Sequence, residues 1–75
     1  LVDPNGSDVE IDLPEGVNQK RFHIKNIGTS GNTVNVDPNG SEQIDNGGAG
    51  VVYPVAENVA ISPIYLAEDS NWYIL

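Results

Sequence analysis

Apolar and polar residues alternate in short runs along this chain, and glycine, proline, asparagine and aspartate interrupt them every few positions. A period of two, bounded by turn residues, is the mark of half-buried strands in an all-β domain. Asp8 to Leu13 sets Val9, Ile11 and Leu13 on one face and Asp8, Glu10 and Asp12 on the other. After a loop at Pro14–Gln19, Lys20 to Ile27 alternates again, with Phe22 and Ile24 inward and Arg21, His23 and Lys25 outward. Thr33 to Val36 predicts a short strand with Val34 and Val36 inward, and Ile44 a brief extended piece between polar turns. Val51 to Val55, Asn58 to Leu66 and Asn71 to Leu75 complete the strands, and no stretch has the helical period.

The charge order suggests how the first two strands meet. All three bases lie between Lys20 and Lys25, directly after the acids of the first strand. An antiparallel hairpin through Pro14–Gln19 sets those acids opposite Arg21 and Lys25. Each such pair contributes about 0.2–1 kcal/mol, enough to fix register rather than stability. A short repeat adds a second local signal: Val2-Asp3-Pro4-Asn5-Gly6-Ser7 recurs as Val36-Asp37-Pro38-Asn39-Gly40-Ser41, with Ile-Asp following each copy. Proline, asparagine and glycine in that order predict a tight turn in both copies, either a shared turn solution or a duplicated hairpin.

The end of the chain breaks the one-sided pattern. Val51, Tyr53 and Val55 oppose Val52 and Pro54. Val59, Ile61, Pro63 and Tyr65 oppose Ala60, Ile64 and Leu66. In the last strand Trp72 and Ile74 point one way, Tyr73 and Leu75 the other, so both sides are apolar. A terminus this apolar is expected to be docked. Strands apolar on both faces belong between layers, and the rest of the chain is too short to supply a second layer. The expected cover is an identical subunit.

Size sharpens that expectation. Seventy-five residues make one domain, residues 1–75, and a chain of this length buries only about 60 % of its unfolded surface. Its single core supplies roughly 3–5 kcal/mol, and with no cysteine there is no disulfide to add to it. Leucine at position 1 and the absence of methionine read as a fragment of a longer polypeptide. The net charge of −8 argues against nucleic acid and anionic membranes as partners. No apolar run approaches the roughly 18 residues that predict a membrane-spanning helix.

Chemistry-bearing residues are sparse. His23 is the only histidine and sits between Arg21 and Lys25, which reads as a solvated or interface side chain rather than a catalytic one. Nothing resembles a nucleophile elbow. Asp37 to Ser41 has oxygens at alternate positions as calcium loops do, but Gly48 stands where an EF-hand needs a carboxylate, and Pro14 stands there for the copy at Asp3. No spacing singles out a carboxylate pair for glycoside hydrolysis. Gly47-Gly48-Ala49-Gly50 lacks the lysine of a phosphate loop. Asn5-Gly6-Ser7 and Asn39-Gly40-Ser41 match the glycosylation sequon and read as turns. The expectation is therefore no catalytic residues, no metal and no cofactor. Tyr53, Tyr65 and Trp72 are candidates for stacking on a sugar ring, against a plainer role in core or interface.

The order of these signals resembles a known family. Val9 to Pro14 is followed by Gly16, by Lys20-Arg21-Phe22-His23-Ile24-Lys25-Asn26-Ile27-Gly28, and by Gly31-Asn32-Thr33-Val34-Asn35-Val36. Then come Ile44-Asp45 with a glycine-rich turn, Val59-Ala60-Ile61, and Ser70-Asn71-Trp72-Tyr73-Ile74-Leu75. This looks like the small β module of bacteriophage tail fibres and tailspikes, often found at or near their C-termini. The likeness covers nearly the whole chain, and Phe-x-Ile-Lys-Asn and Asn-Trp-Tyr-Ile-Leu are its most specific pieces. The chain departs from the family in having Asn46 after Ile44-Asp45, where glycine is frequent, and in lacking a strand ahead of the first Leu-Pro strand.

The resemblance implies a homotrimer on a three-fold axis, in a virion appendage that contacts the host. The combined expectation is an all-β, small antiparallel β-sandwich or prism-like domain assembled as a homotrimer. Its role would be to trimerise and cap a phage tail fibre or tailspike near the host-contacting end. Val52, Ile64, Leu66, Tyr73 and Leu75 are the candidate subunit interface. The alternative is a carbohydrate-binding module for host surface polysaccharide, using Tyr53, Tyr65 and Trp72. A fragment of a polysaccharide-degrading spike is a third reading. No membrane insertion is expected.

Overall fold

The computed structural model describes all 75 residues, Leu1 to Leu75. They form an elongated body of 38 × 18 × 17 Å built from eight strands with no helix. The strands are β1 (Val9–Asp12), β2 (Ile24–Lys25), β3 (Val34–Asp37), β4 (Gln43–Ile44), β5 (Tyr53–Val55), β6 (Ala60–Ile61), β7 (Pro63–Leu66) and β8 (Asn71–Ile74). They pair in three small sheets, ordered β1-β3-β5, β2-β6 and β4-β8-β7. The all-β expectation holds, and the predicted runs mark the strands closely.

The partners differ from those expected. β1 does not form a hairpin with the basic strand; it runs parallel to β3, Val9 beside Val34 and Asp12 beside Asp37. β4 likewise runs parallel to β8, so the architecture is mixed rather than antiparallel throughout. A parallel pair needs a long crossover, and here the chain makes it by winding. Side chains fasten successive windings: Asp8 Oδ1 accepts the Thr33 amide at 2.7 Å and Asn5 Oδ1 accepts the Thr29 amide at 2.8 Å. Alternation in sequence states which side chains face the core, and it is silent about which strand lies alongside.

The basic segment pairs instead with the chain's last quarter. Arg21 bridges Ile64, Ile24 lies opposite Ile61 and Lys25 opposite Ala60, all antiparallel in one unbroken register. The Phe22 amide donates to the Pro63 carbonyl at 3.1 Å, and the Tyr65 amide to the Lys20 carbonyl at 3.0 Å. β7 then pairs antiparallel with β8, with Ile64 opposite Tyr73 and Tyr65 opposite Trp72. The β2-β6 and β4-β8-β7 sheets are thereby joined edge to edge into one surface.

The two repeat copies adopt different structures. In the second, the Glu42 amide donates to the Asn39 carbonyl at 2.9 Å, and Gly40 takes a φ of 52°, a left-handed value that suits glycine. In the first, the Asn5 amide bonds the Asp3 side chain at 3.2 Å, an Asx turn. The second copy joins β3 to β4, which lie in different sheets. Neither copy is a hairpin, so the duplicated-hairpin reading is corrected.

One core unites the sheets: Leu13, Ile24, Val34, Val36, Ile44, Val55, Ile61, Tyr65 and Trp72. Trp72 is fully buried, its ring centroid 5.1 Å from that of Tyr65 and 5.7 Å from that of Phe22. Its Nε1 donates to Glu42 at 3.1 Å, and the same carboxylate accepts the Gly16 amide at 3.0 Å. A burying site for indole needs such an acceptor. Buried Asn26 donates to the Asn32 and Val55 carbonyls, both at 3.0 Å, and accepts the Gly28 amide at 2.9 Å. Every buried side-chain nitrogen and oxygen has a partner.

Candidate functional site

The joined sheet has one face in the core and one in the open, and constant register assigns side chains to the open one. Its first column is Lys25, His23 and Arg21. Beside it run Ala60, Ser62, Ile64 and Leu66, then Leu75, Tyr73 and Asn71 on the final strand. The Leu75 amide donates to the Ser62 carbonyl at 3.2 Å, which carries the pairing to the last residue. Asp45 closes the far edge: its amide bonds the Trp72 carbonyl and its Oδ1 accepts the Ile74 amide at 3.4 Å. Across the strands the face therefore reads basic, apolar, acidic.

The chain covers the apolar middle only in part. Ile64 and Tyr73 are half-buried, Leu66 is 37 % exposed and Leu75 is 70 % exposed. Asn71, on the same side, is fully buried because Asn46 lies over it, accepting from its Nδ2 at 2.6 Å. The Tyr73 hydroxyl donates to Asp69 Oδ2 at 2.5 Å. That bond holds the phenol proton and raises the Tyr73 pKa above 10, helped by partial burial and by the charges of Asp69 and Asp45.

Four of the five candidate interface residues, Ile64, Leu66, Tyr73 and Leu75, thus share one face. Val52, 40 % exposed, does not join them; it precedes β5 in the other sheet. The candidates for sugar stacking fare differently. Tyr65 and Trp72 are core residues, 6 % and 0 % exposed; their rings pack on each other, and Trp72 also packs on Phe22. Neither offers a free ring face to a ligand. Tyr53 is half-buried against the core.

The opposite sheet shows an arrangement that the sequence did not reveal. Parallel pairing of β1 with β3 gathers Glu10, Asp12 and Asp37 on the outer face, with carboxylate oxygens all within 4.8 Å of one another. The bases expected beside Glu10 and Asp12 lie on the other sheet. A hydrogen bond with Asp12, then the negative charges of Asp12 and Asp37, raise the Glu10 pKa. Only the strand order, invisible in a single sequence, brings Asp37 there.

His23 Nδ1 lies 2.9 Å from Ser62 Oγ, at an open groove of about 280 Å³ also lined by Leu1, Lys25 and Ala60. A serine nucleophile needs an imidazole oriented by a third group. The flanking outward side chains on this strand are Arg21 and Lys25, which do not serve that role.

Comparison with known proteins gives no match: no family model, no curated protein and no solved structure aligns significantly with the chain. The functional reading accordingly rests on the surfaces described above and on the sequence pattern.

Proposed function

We propose that this chain is a structural domain of a bacteriophage tail fibre or tailspike, which trimerises and caps the appendage near its host-contacting end. The observation that carries the reading is the outer face of the β7–β8 ribbon. Ile64, Leu66, Tyr73 and Leu75 form a continuous apolar strip on a face whose reverse side already belongs to the core. Burying one Leu or Ile side chain contributes roughly 1.5–3 kcal/mol. A few of them per subunit, repeated around an axis, match or exceed what a core of this size supplies. A prism of three such mixed-sheet domains, with this ribbon turned inward, is the arrangement that uses the strip fully.

Recognition of a host polysaccharide is the second role such a position suggests, and it is compatible with the first. With Tyr65 and Trp72 enclosed, ring stacking would fall to Tyr53 and to Tyr73 where assembly leaves it open. The trimer reading carries more of the observed surface.

Sedimentation of the 75-residue chain at micromolar concentration tests the proposal. The expected result is a folded species of three times the chain mass. A folded monomer at that concentration would overturn it.

A further inference from the structure

The outer face of the joined sheet is graded across the strands, and the gradient specifies how copies meet. Arg21, Ile64 and Tyr73 are direct register partners, and Asp45 flanks the same level through its bonds to the Trp72 carbonyl and the Ile74 amide. One line across the sheet therefore runs from a guanidinium, over two half-buried apolar side chains, to a carboxylate. The other bases are engaged within the chain: Lys25 Nζ donates to the Asn58 carbonyl at 3.1 Å, and Lys20 lies 5.4 Å from the Phe22 ring centroid. Arg21 extends from an exposed position at the edge of the strip.

We infer that copies of this chain associate head to tail around an axis parallel to β7 and β8, the Arg21 edge of each copy meeting the Asp45 edge of the next. The inference rests on the trimer reading above, from which it takes the three-fold axis; the structure supplies the edges. Rotation about an axis parallel to the strands keeps residues at their level along it. Arg21 of one copy therefore arrives level with Asp45 of its neighbour, while Ile64, Tyr73 and Leu75 converge in the middle. A two-fold axis across the strands would instead put base on base and acid on acid, which costs affinity. The partner is a second copy of this chain because the face carries its own complement.

Charge swaps on the 75-residue chain test this by sedimentation, with circular dichroism as a check of folding. Arg21→Glu and Asp45→Lys should each raise the assembly midpoint concentration roughly tenfold or more. Carrying both swaps in one chain should restore it, because every contact is again opposite in sign. Asp45 has a φ of 52°, which lysine tolerates poorly. Asp45→Asn, which keeps the favoured backbone and an acceptor for Ile74, therefore serves as the milder variant, with a smaller weakening expected.

Mixing the two single variants distinguishes the symmetry. A ring of three cannot alternate two kinds of subunit, so the mixture should not recover wild-type trimer stability. A stable 1:1 dimer from the mixture overturns the three-fold, head-to-tail arrangement. A wild-type trimer indifferent to Arg21→Glu and to Asp45→Asn overturns the edge pairing and leaves the trimer reading standing. A wild-type monomer removes both.

Discussion

The two outward faces of this molecule are built from the same grammar and end differently. On the β1-β3-β5 sheet, inward Val34, Val36 and Val55 alternate with outward Asn35, Asp37 and Pro54, beside Glu10 and Asp12. That face is finished by water. On the β7–β8 ribbon, inward Tyr65 and Trp72 alternate with outward Ile64, Leu66, Tyr73 and Leu75. Water is a poor finish for that row. Inward alternation explains the fold in both sheets, and the two faces differ in the outward half of the pattern. An isolated exposed leucine means little; Ile64 opposite Tyr73, with Leu66 and Leu75 on the same ribbon face and opposite charges at its borders, is the surface on which the trimer proposal rests.

The largest expected effect falls on what the faces share. Trp72 touches both Phe22 and Tyr65 and holds Glu42, which also binds the Gly16 amide. Trp72→Ala removes the ring and leaves that carboxylate short of a donor. The expected loss is about 3–5 kcal/mol, comparable to the whole stability of a domain this small, so denaturant titration should find the monomer unfolded. Gly16→Ala acts on the same packing. A Cβ there would lie 2.4 Å from the Tyr65 ring, and displacing a buried ring costs about 1–3 kcal/mol. Intact denaturation midpoints in these variants would sever the ribbon from the core.

A smaller but more selective effect separates the faces. Ile64→Glu or Leu75→Glu puts a charge in the apolar strip and should weaken assembly at least tenfold, given roughly 1.5–3 kcal/mol per buried side chain. The circular dichroism of the monomer should be unchanged for Leu75→Glu, since Leu75 is 70 % exposed. Val52→Glu, on the acidic sheet's side, should leave the sedimenting mass unaltered. Equal effects at Val52 and Leu75 would erase the distinction between the two faces.

The parts of this structure that sequence revealed are those encoded by neighbours along the chain. Val9, Ile11 and Leu13 inward, Val34 and Val36 inward, and the docking of Trp72 follow from a period of two and the size of the side chains. Pairing is encoded across the chain, where Asp8 finds Thr33 and Glu42 finds Trp72. The acids of β1 and the bases of the next segment looked like partners because they are adjacent in sequence and opposite in sign. Such pairs are worth too little to choose a strand's neighbour, and β1 instead lies beside β3 with Ile11 opposite Val36, the first packed against the core and the second within it. Of the candidate interface residues, Ile64, Leu66, Tyr73 and Leu75 lie on one face, whereas Val52 lies beside β5 in the other sheet, a placement that alternation alone does not give. Of the sugar-stacking candidates, Tyr65 and Trp72 lie in the core, because aromatic content marks a residue equally well for either place.

Acidity offers a finer probe of the water-finished face. Glu10 keeps its proton to higher pH in the folded chain than in the unfolded one, because Asp12 shares a hydrogen bond with it and Asp12 and Asp37 repel its charge. A raised folded pKa means stability present below the ordinary value of 4.5 and lost as pH rises through the shifted one. Glu10→Gln should therefore melt higher than wild type at neutral pH, with the difference closing below about pH 4. Added salt should narrow it as well, since these side chains are exposed. A constant difference across pH would mean the carboxylates do not interact.

The smallest effect belongs to the ribbon, and it inverts the chemistry of the acidic face. Tyr73 also has a raised pKa, and here too the proton is retained, but through donation to a carboxylate rather than crowding among carboxylates. Its stabilising bond is complete below the ordinary tyrosine value of 10 and is lost as pH rises through the folded value. Ultraviolet titration of phenolate should find one tyrosine ionising above the ordinary value. Tyr73→Phe should abolish that step, and Asp69→Ala should lower it. The phenol lies in the strip that copies are proposed to share, so the step should move further upward as protein concentration drives assembly. The Glu10 difference, on a face left to water, should not depend on concentration. A Tyr73 titration equally indifferent to concentration would place the strip outside any contact between copies.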